Sequence, residues 1–257
     1  MPAIALTIAG SDPSGGAGLQ ADLKTFHQFG VYGEAVVTLI TVQNTVRVSR
    51  VHLLDPVLVG EQLDAILEDI PPMAAKTGAL GSVGIIEAVA ERKLPCPLVV
   101  DPVMISKHGA PLMEPAARTA LRTLLLKRAF LVTPNLHEAS ELTGMEVATP
   151  QQMREAARRI ADLGPQAVLI KGGHLTGDAL DILFAGGEFL ELPGERIHTK
   201  HTHGTGCTYS AAITAGLAQG LALREAVLRA KRYIAAAIAG NPGLGAGSGP
   251  VDHFARV

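Results

Sequence analysis

Between His201 and Ser210 the chain reads His-Thr-His-Gly-Thr-Gly-Cys-Thr-Tyr-Ser, then enters an Ala- and Gly-rich apolar stretch, Ala211 to Gly220, that reads as a buried helix. The first turn of a helix leaves backbone N–H groups unpaired and carries partial positive charge. Glycines at 204 and 206 strip side chains from that turn, so an anion can approach the donors closely. A helix start also stabilises a thiolate, which makes Cys207 a candidate base. An oxyanion cradle beside a base suits phosphoryl transfer to an alcohol, where positioning and charge stabilisation supply most of the catalysis. A glycine-containing helix start with a small buried cysteine is the plain structural alternative.

The elements that must position this turn alternate along the chain. Strand patterns fall at Ile4–Ala9, Ala35–Ile40, Ala74–Thr77, Leu98–Asp101, Phe130–Thr133 and Ala167–Lys171, with a later pair at Asp181–Phe184 and Glu188–Leu192. Helical patterns lie between them at Ala17–Phe29, Pro56–Asp69, Val83–Arg92, Pro115–Leu126, Leu136–Thr143 and Pro150–Leu163, and then at Thr208–Gln219 and Leu223–Ala239. Short apolar runs such as Leu98-Val99-Val100 suit strands buried on both faces. Such alternation predicts a largely parallel sheet between helical layers, and the absence of any linker or repeat predicts one domain over residues 1–257.

Ligands of open α/β sheets collect beyond the carboxyl ends of the strands. There the sequence places Gly10 to Gly18, Thr41 to Asn44, Lys76 to Ala79, Asp101 to Met104, Thr133 to Glu138 and Lys171 to His174. Each cluster alone is ordinary turn chemistry. Six of them in register with a helix-start anion site point to a ligand cleft.

Composition excludes other classes. A net charge of −2 without a long basic run argues against nucleic-acid binding. No apolar run is long enough for a membrane span, and the N-terminus lacks the basic start of a secretory signal. The two cysteines, Cys96 and Cys207, form no disulfide framework and fit a reducing, cytoplasmic compartment. Neither Gly-x-Gly-x-x-Gly nor a Gly-Lys P-loop occurs, so any nucleotide must use a different cradle. His201-x-His203 lacks the further ligands a zinc site needs.

The run from Ala9-Gly10-Ser11-Asp12-Pro13-Ser14-Gly15-Gly16-Ala17-Gly18 to Thr25 closely resembles the N-terminal signature of the hydroxymethylpyrimidine/phosphomethylpyrimidine kinases of the ribokinase-like superfamily. The resemblance continues in order through Gln43-Asn44-Thr45, Asp101-Pro102-Val103-Met104, Thr133-Pro134-Asn135-Leu136, Lys171-Gly172-Gly173-His174 and Thr202 to Thr208, and reaches Gly249 to Phe254. It implies a three-layer α/β/α fold, ATP with Mg²⁺, and two successive phosphorylations of 4-amino-5-hydroxymethyl-2-methylpyrimidine in thiamine biosynthesis. It also implies a homodimer.

Residue roles follow from the same resemblance. Gly204, Thr205 and Gly206 would hold the transferring phosphoryl group, and Cys207 would take the proton of the attacking hydroxyl. Gly10, Ala17, Asp22, Gln43 and Val103 match positions around the pyrimidine ring, where an amide such as Gln43 can both donate and accept. Some relatives carry Met where Ala79 stands. Asp101, Asn135 and Glu138 would serve Mg²⁺ and its waters, and Lys171 and Asp181 the nucleotide. Plain roles remain open beside these: Asp22 as an acid in the first turn of a helix, Asn135 and Glu138 as a capping box. Lys107-His108-Gly109 sits in a loop long enough for a lid or for an ordinary surface turn. A pyridoxal kinase, acting on a similar flat hydroxymethyl ring, is the nearest alternative activity. A nucleotide or metabolite sensor without turnover is the alternative outside enzymes, and the intact Gly204 to Cys207 run speaks against it.

Overall fold

The computed structural model describes residues 1–107, 109–173, 175–177 and 179–256, so His108 of the candidate lid and His174 lie outside the described residues. Nine strands form one sheet: β1 Ile4–Ser11, β2 Tyr32–Gln43, β3 Val48–Leu53, β4 Ala74–Thr77, β5 Leu98–Val100, β6 Leu131–Val132, β7 Ala167–Ile170, β8 Asp181–Ala185 and β9 Glu188–Leu192. Their order is β3-β2-β1-β4-β5-β6-β7-β8-β9. From β2 to β7 neighbours run parallel, whereas β3, β8 and β9 pair antiparallel at the two edges. The chain steps from β1 to β2 on one side and returns to β4 on the other. That reversal opens a crevice above the carboxyl end of β1, where doubly wound sheets bind ligands.

Eight α-helices cover the sheet: α1 Gly18–Gln28, α2 Pro56–Asp69, α3 Val83–Glu91, α4 Pro115–Ala120, α5 Leu136–Thr143, α6 Pro150–Ala161, α7 Thr205–Ala218 and α8 Leu223–Ala239. Alternation along the strands sends side chains to both faces. Leu6, Ile8 and Val100 meet Leu63 of α2, Ile85 of α3 and Ile160 of α6 on one face. Ala5, Val99 and Leu131 meet Phe26 of α1, Ile213 of α7 and Tyr233 of α8 on the other. The expected three-layer α/β/α architecture is thus observed. Helix starts carry side-chain acceptors: Asp55 caps α2, Ser82 caps α3 and Thr149 caps α6. No helix among the described residues is long and apolar enough to cross a membrane.

Three differences from the sequence expectation have local causes. β2 runs on to Gln43 and turns back as β3, a strand the sequence pattern missed because Ser49, Arg50 and His52 are exposed and break its alternation. The turn between them is held by Asn44, whose side-chain oxygen accepts from the backbone N–H of Val46 and Arg47. The expected helix Pro115–Leu126 keeps α-geometry only to Ala120, then widens into a π turn over Leu121–Leu125 and ends in a 3-10 turn over Leu126–Arg128. Finally, α7 begins at Thr205 rather than Thr208, which places Gly206 and Cys207 inside its first turn.

Candidate active site

A cavity of about 680 Å³ opens above the carboxyl ends of the parallel strands. Its wall gathers Gly10 and Ala17 after β1, Gln43 at the end of β2, Ala79 after β4, Asp101 and Val103 after β5, Asn135 and Glu138 after β6 and Lys171 after β7. Gly204, Thr205, Gly206 and Cys207 at the start of α7 close one side, and Ile197, Ile234 and Ile238 form an apolar end. Of the candidate residues, only Asp22 is absent from the lining.

The two glycines of the α7 turn do different things. Gly204 caps the helix with φ 77°, in the left-handed region, and a Cβ there would lie 1.8 Å from the carbonyl oxygen of Gly16. Only glycine permits that backbone approach. Gly206 faces the cavity instead: a Cβ would stand 3.2 Å from Lys171 Nζ and 3.8 Å from Asp101 Oδ2. The space in front of Gly206 therefore lies between helix-start donors and a lysine ammonium, which is a cradle for an anion.

Lys171 donates to Asp101 Oδ1 at 2.8 Å. Asp101 also accepts from Thr133 Oγ1 at 3.2 Å and, through Oδ2, from Ser210 Oγ at 3.3 Å. Burial opposes the carboxylate charge of Asp101, yet the ammonium groups of Lys171 and Lys76 outweigh it and hold the group below the usual range. Asn135 and Glu138 form a complete capping box: Asn135 Oδ1 accepts from the N–H of Glu138 at 2.9 Å, and Glu138 Oε2 accepts from the N–H of Asn135 at 2.8 Å. Burial pushes Glu138 up to about 7, with Lys171 pulling down and Asp101 adding to the rise. No cluster of three or more His, Cys, Asp or Glu ligands occurs among the described residues. The hard oxygens of Asp101, Asn135 and Glu138 share one wall beside the anion cradle, a donor set that fits a magnesium ion keeping several of its waters.

Some expectations need correction. Asp22 does not lie on the cavity wall, nor in the first turn of a helix. Because α1 begins at Gly18, Asp22 falls one turn in and faces the sheet, fully buried. There Oδ2 accepts from Thr7 Oγ1 at 2.6 Å and from Lys76 Nζ at 2.8 Å. Asp181 lines the cavity as expected and also ties the loop after β7 to α8, one oxygen accepting from the N–H of Gly172 and the other from Lys231 Nζ. The Cys207 thiolate is not stabilised by its helix-start position. Burial, joined by the carboxylates of Asp22 and Asp101, pushes the thiol up to about 12 against a lowering by Lys76. The histidines of His201-x-His203 are also engaged elsewhere: His201 Nδ1 accepts from the N–H of Gly249, and His203 Nε2 pairs with Asp12 Oδ2 at 2.8 Å.

Two functional groups were missed by sequence reasoning. Lys76 was read as a polar strand end, yet it has no exposed surface and sits among Asp22, Cys207 and Asp101, which push its ammonium above lysine's usual value although burial opposes them. Asp12 was read as part of a flexible loop, but its carboxylate organises that loop. A lysine within an otherwise apolar strand was the available signal for the first, since such a residue is buried only when paired.

These contacts give distinct expectations. Gly204→Ala should lower the unfolding free energy by about 2–4 kcal/mol through left-handed strain and overpacking, whereas Gly206→Ala should stay within about 1 kcal/mol; denaturant unfolding reads both. Iodoacetamide should alkylate Cys207 of the unliganded protein at pH 7.5 at least about tenfold more slowly than a free thiol, measured by peptide mass spectrometry. For Glu138, the native state holds a proton that the unfolded chain has lost between about pH 4.5 and 7, so its contribution to stability fades as pH rises through that window. Glu138→Gln should therefore match the parent near pH 4 and exceed it by up to about 3 kcal/mol at pH 8.

The phosphomethylpyrimidine kinase family model matches residues 12–252. A hydroxymethylpyrimidine/phosphomethylpyrimidine kinase of Staphylococcus aureus is 47% identical over 262 residues, covering 100% of this chain and 95% of that protein. The thiamine biosynthesis bifunctional protein ThiED of Geobacter sulfurreducens is 51% identical over 97% of this chain, which spans 52% of that longer protein. Among solved structures, an ADP complex of Bacillus subtilis pyridoxal kinase superimposes with a TM-score of 0.92 at 44% identity, covering 99% of this chain and 98% of that one. With its match running from the loop after β1 to the segment beyond α8, the chain belongs to the phosphomethylpyrimidine kinase family.

Proposed function

We propose that this chain transfers the γ-phosphoryl group of ATP first to the hydroxyl of 4-amino-5-hydroxymethyl-2-methylpyrimidine and then to the phosphate of the product, the diphosphate serving thiamine biosynthesis. The observation that carries this reading is a cavity lined at once by the anion cradle at Gly206, by Cys207, and by Gly10, Ala17, Gln43 and Val103. The family match and the relatives' names support the same reading. The apolar end at Ile197, Ile234 and Ile238 suits a purine base, and the homodimer implied by the sequence resemblance belongs to the proposal.

In each step the bond from phosphorus to the acceptor oxygen forms while the bond to the departing ADP breaks. Gly206 and the first-turn N–H groups of α7 would receive the transferring phosphoryl oxygens, with Lys171 as a point charge beside them. Magnesium, when bound, would neutralise the phosphate oxygens, with Asp101, Asn135 and Glu138 holding its waters. Cys207 would take the acceptor's proton in the alcohol step. A thiol pushed up to about 12 is protonated at neutral pH, so the thiolate fraction grows about tenfold per pH unit. In the second step the acceptor phosphate is already anionic and needs no such base.

The two steps should therefore respond differently. Cys207→Ala should slow the alcohol step by roughly 10²–10⁴-fold and the phosphate step much less, and only the alcohol step of the parent should accelerate from pH 7 to 9. A loss of less than about threefold in the alcohol step would remove Cys207 from the proton path. Mg·ATP turnover on hydroxymethylpyrimidine, its monophosphate, pyridoxal and ribose, followed by mass spectrometry, tests the function itself. Conversion of the monophosphate to the diphosphate is the expected result. Turnover of pyridoxal alone would replace the proposal with a pyridoxal kinase, and ATP binding without any product would replace it with a sensor.

A further inference from the structure

Asp12 lies in the loop between β1 and α1, and His203 lies just before α7, yet the two meet at the centre of the cavity wall. Both are buried, and His203 Nε2 stands 2.8 Å from Asp12 Oδ2. The same Oδ2 accepts from the N–H of Gly16 at 3.2 Å and of Ala17 at 2.9 Å. Asp12 Oδ1 accepts from the N–H and the hydroxyl of Ser14 at 2.8 and 2.7 Å. Behind it, the N–H of Asp12 donates to Gln20 Oε1 on α1. These contacts engage both oxygens of the carboxylate. Although burial opposes its charge, hydrogen bonds from His203, Gln43 and Ser14 hold it well below the usual carboxylate range.

On the other side, the N–H of His203 donates to the carbonyl of Gly249 at 3.0 Å, which pins its backbone to the C-terminal segment. The ring packs so closely over Gly16 that a Cβ there would stand 2.7 Å from His203 Cδ2. The next residue, Gly204, brings its own backbone against the Gly16 carbonyl. The acceptor loop and the phosphoryl-binding turn are therefore joined twice, once by the Asp12–His203 hydrogen bond and once by glycine-to-glycine contact. Ala17, on the ring pocket, and Gly206, at the anion cradle, each lie within a few residues of that junction. Phosphoryl transfer depends on holding acceptor and donor in line, and a displacement of about 1 Å can cost about 10²-fold in rate.

We propose that Asp12 and His203 are positioning residues of the transfer step, whose mutual hydrogen bond fixes the acceptor loop against the phosphoryl-binding turn. The proposal rests on the kinase reading above and adds a role for two residues that do not carry the chemistry themselves. It separates turnover from binding: each half of the cavity keeps its own contacts when the junction loosens, but their relative placement is lost.

The test compares His203→Asn, whose amide is too short to reach Asp12, with His203→Gln, whose amide N–H can replace the ring donor. Expected for His203→Asn is a fall in kcat of about 10- to 100-fold with KM for Mg·ATP and for the pyrimidine within about threefold. His203→Gln should recover most of that loss, and Asp12→Asn combined with His203→Asn should be no slower than the worse single variant. Unchanged kcat, a KM effect confined to one substrate, or fully additive losses would each overturn the proposal. If His203→Asn does not fold, the same kinetics on Asp12→Asn decide the matter. Hydrogen exchange at Gly16 and Ala17 gives an activity-independent readout: faster exchange in His203→Asn than in His203→Gln supports the junction, and equal rates overturn it. A parent protein that turns over no acceptor would sink the kinase reading, while the exchange measurement still decides the junction.

Discussion

Lys76 has no atom in contact with solvent, and a charge so enclosed persists only with partners. Asp22 provides one, reached across the gap between α1 and β4 at 2.8 Å. A second pair, Lys171 with Asp101, closes at 2.8 Å where β5 and β7 end, with Asp101 buried and Lys171 partly exposed to the cavity. Together these pairs set positive and negative charge under the start of α7, and the rest of the site depends on that arrangement. The ammonium of Lys171 is what makes the open face of Gly206 attractive to an anion. The ammonium of Lys76 pulls the Cys207 thiol down, against burial and two carboxylates. Removing one member of the Lys76–Asp22 pair leaves an uncompensated charge in the interior, a much larger penalty than the pair's own net contribution.

Most of the architecture was legible because periodicity and punctuation agree. Asp55-Pro56, Thr149-Pro150 and Asn135 with Glu138 announce helix starts, and α2, α5 and α8 fall where the pattern puts them. Short apolar runs announce the parallel strands to within two residues, except β2, which runs three residues further at each end. What escaped is what depends on a neighbour. β3 is defined by its neighbour: it pairs antiparallel with Leu39 to Gln43 along the edge of β2 opposite β1. The widening after Ala120 likewise leaves no mark in a sequence that continues Leu-Arg-Thr-Leu-Leu.

The site was legible in its membership more than in its roles. Gly10, Ala17, Gln43, Val103, Asp101, Lys171 and Gly204 to Cys207 were read at strand ends and at a helix start, and all of them line one cavity. Spacing alone cannot tell how deep a carboxylate sits, which is why Asp22 lies in the core and not on the wall where its position in the motif places it. The helix-start argument for Cys207 failed for a related reason. A local dipole was visible in the sequence, whereas the enclosure that overrides it is made by elements far apart in the chain.

Helix α7 presents no outward face at all: from Thr208 to Ala218 every residue is buried, and small side chains let it lie between the sheet and its helical neighbours. Surface helices fray at their ends, but this one is clamped over that length, and its N-terminal donors cannot wander. The ordering entropy of the anion site is therefore settled when the protein folds and does not recur with each catalytic cycle. A loop-borne phosphate site would have to be organised anew whenever a ligand arrived. Here the donors are held in place from the start, so that arriving substrates have only their own freedom to lose.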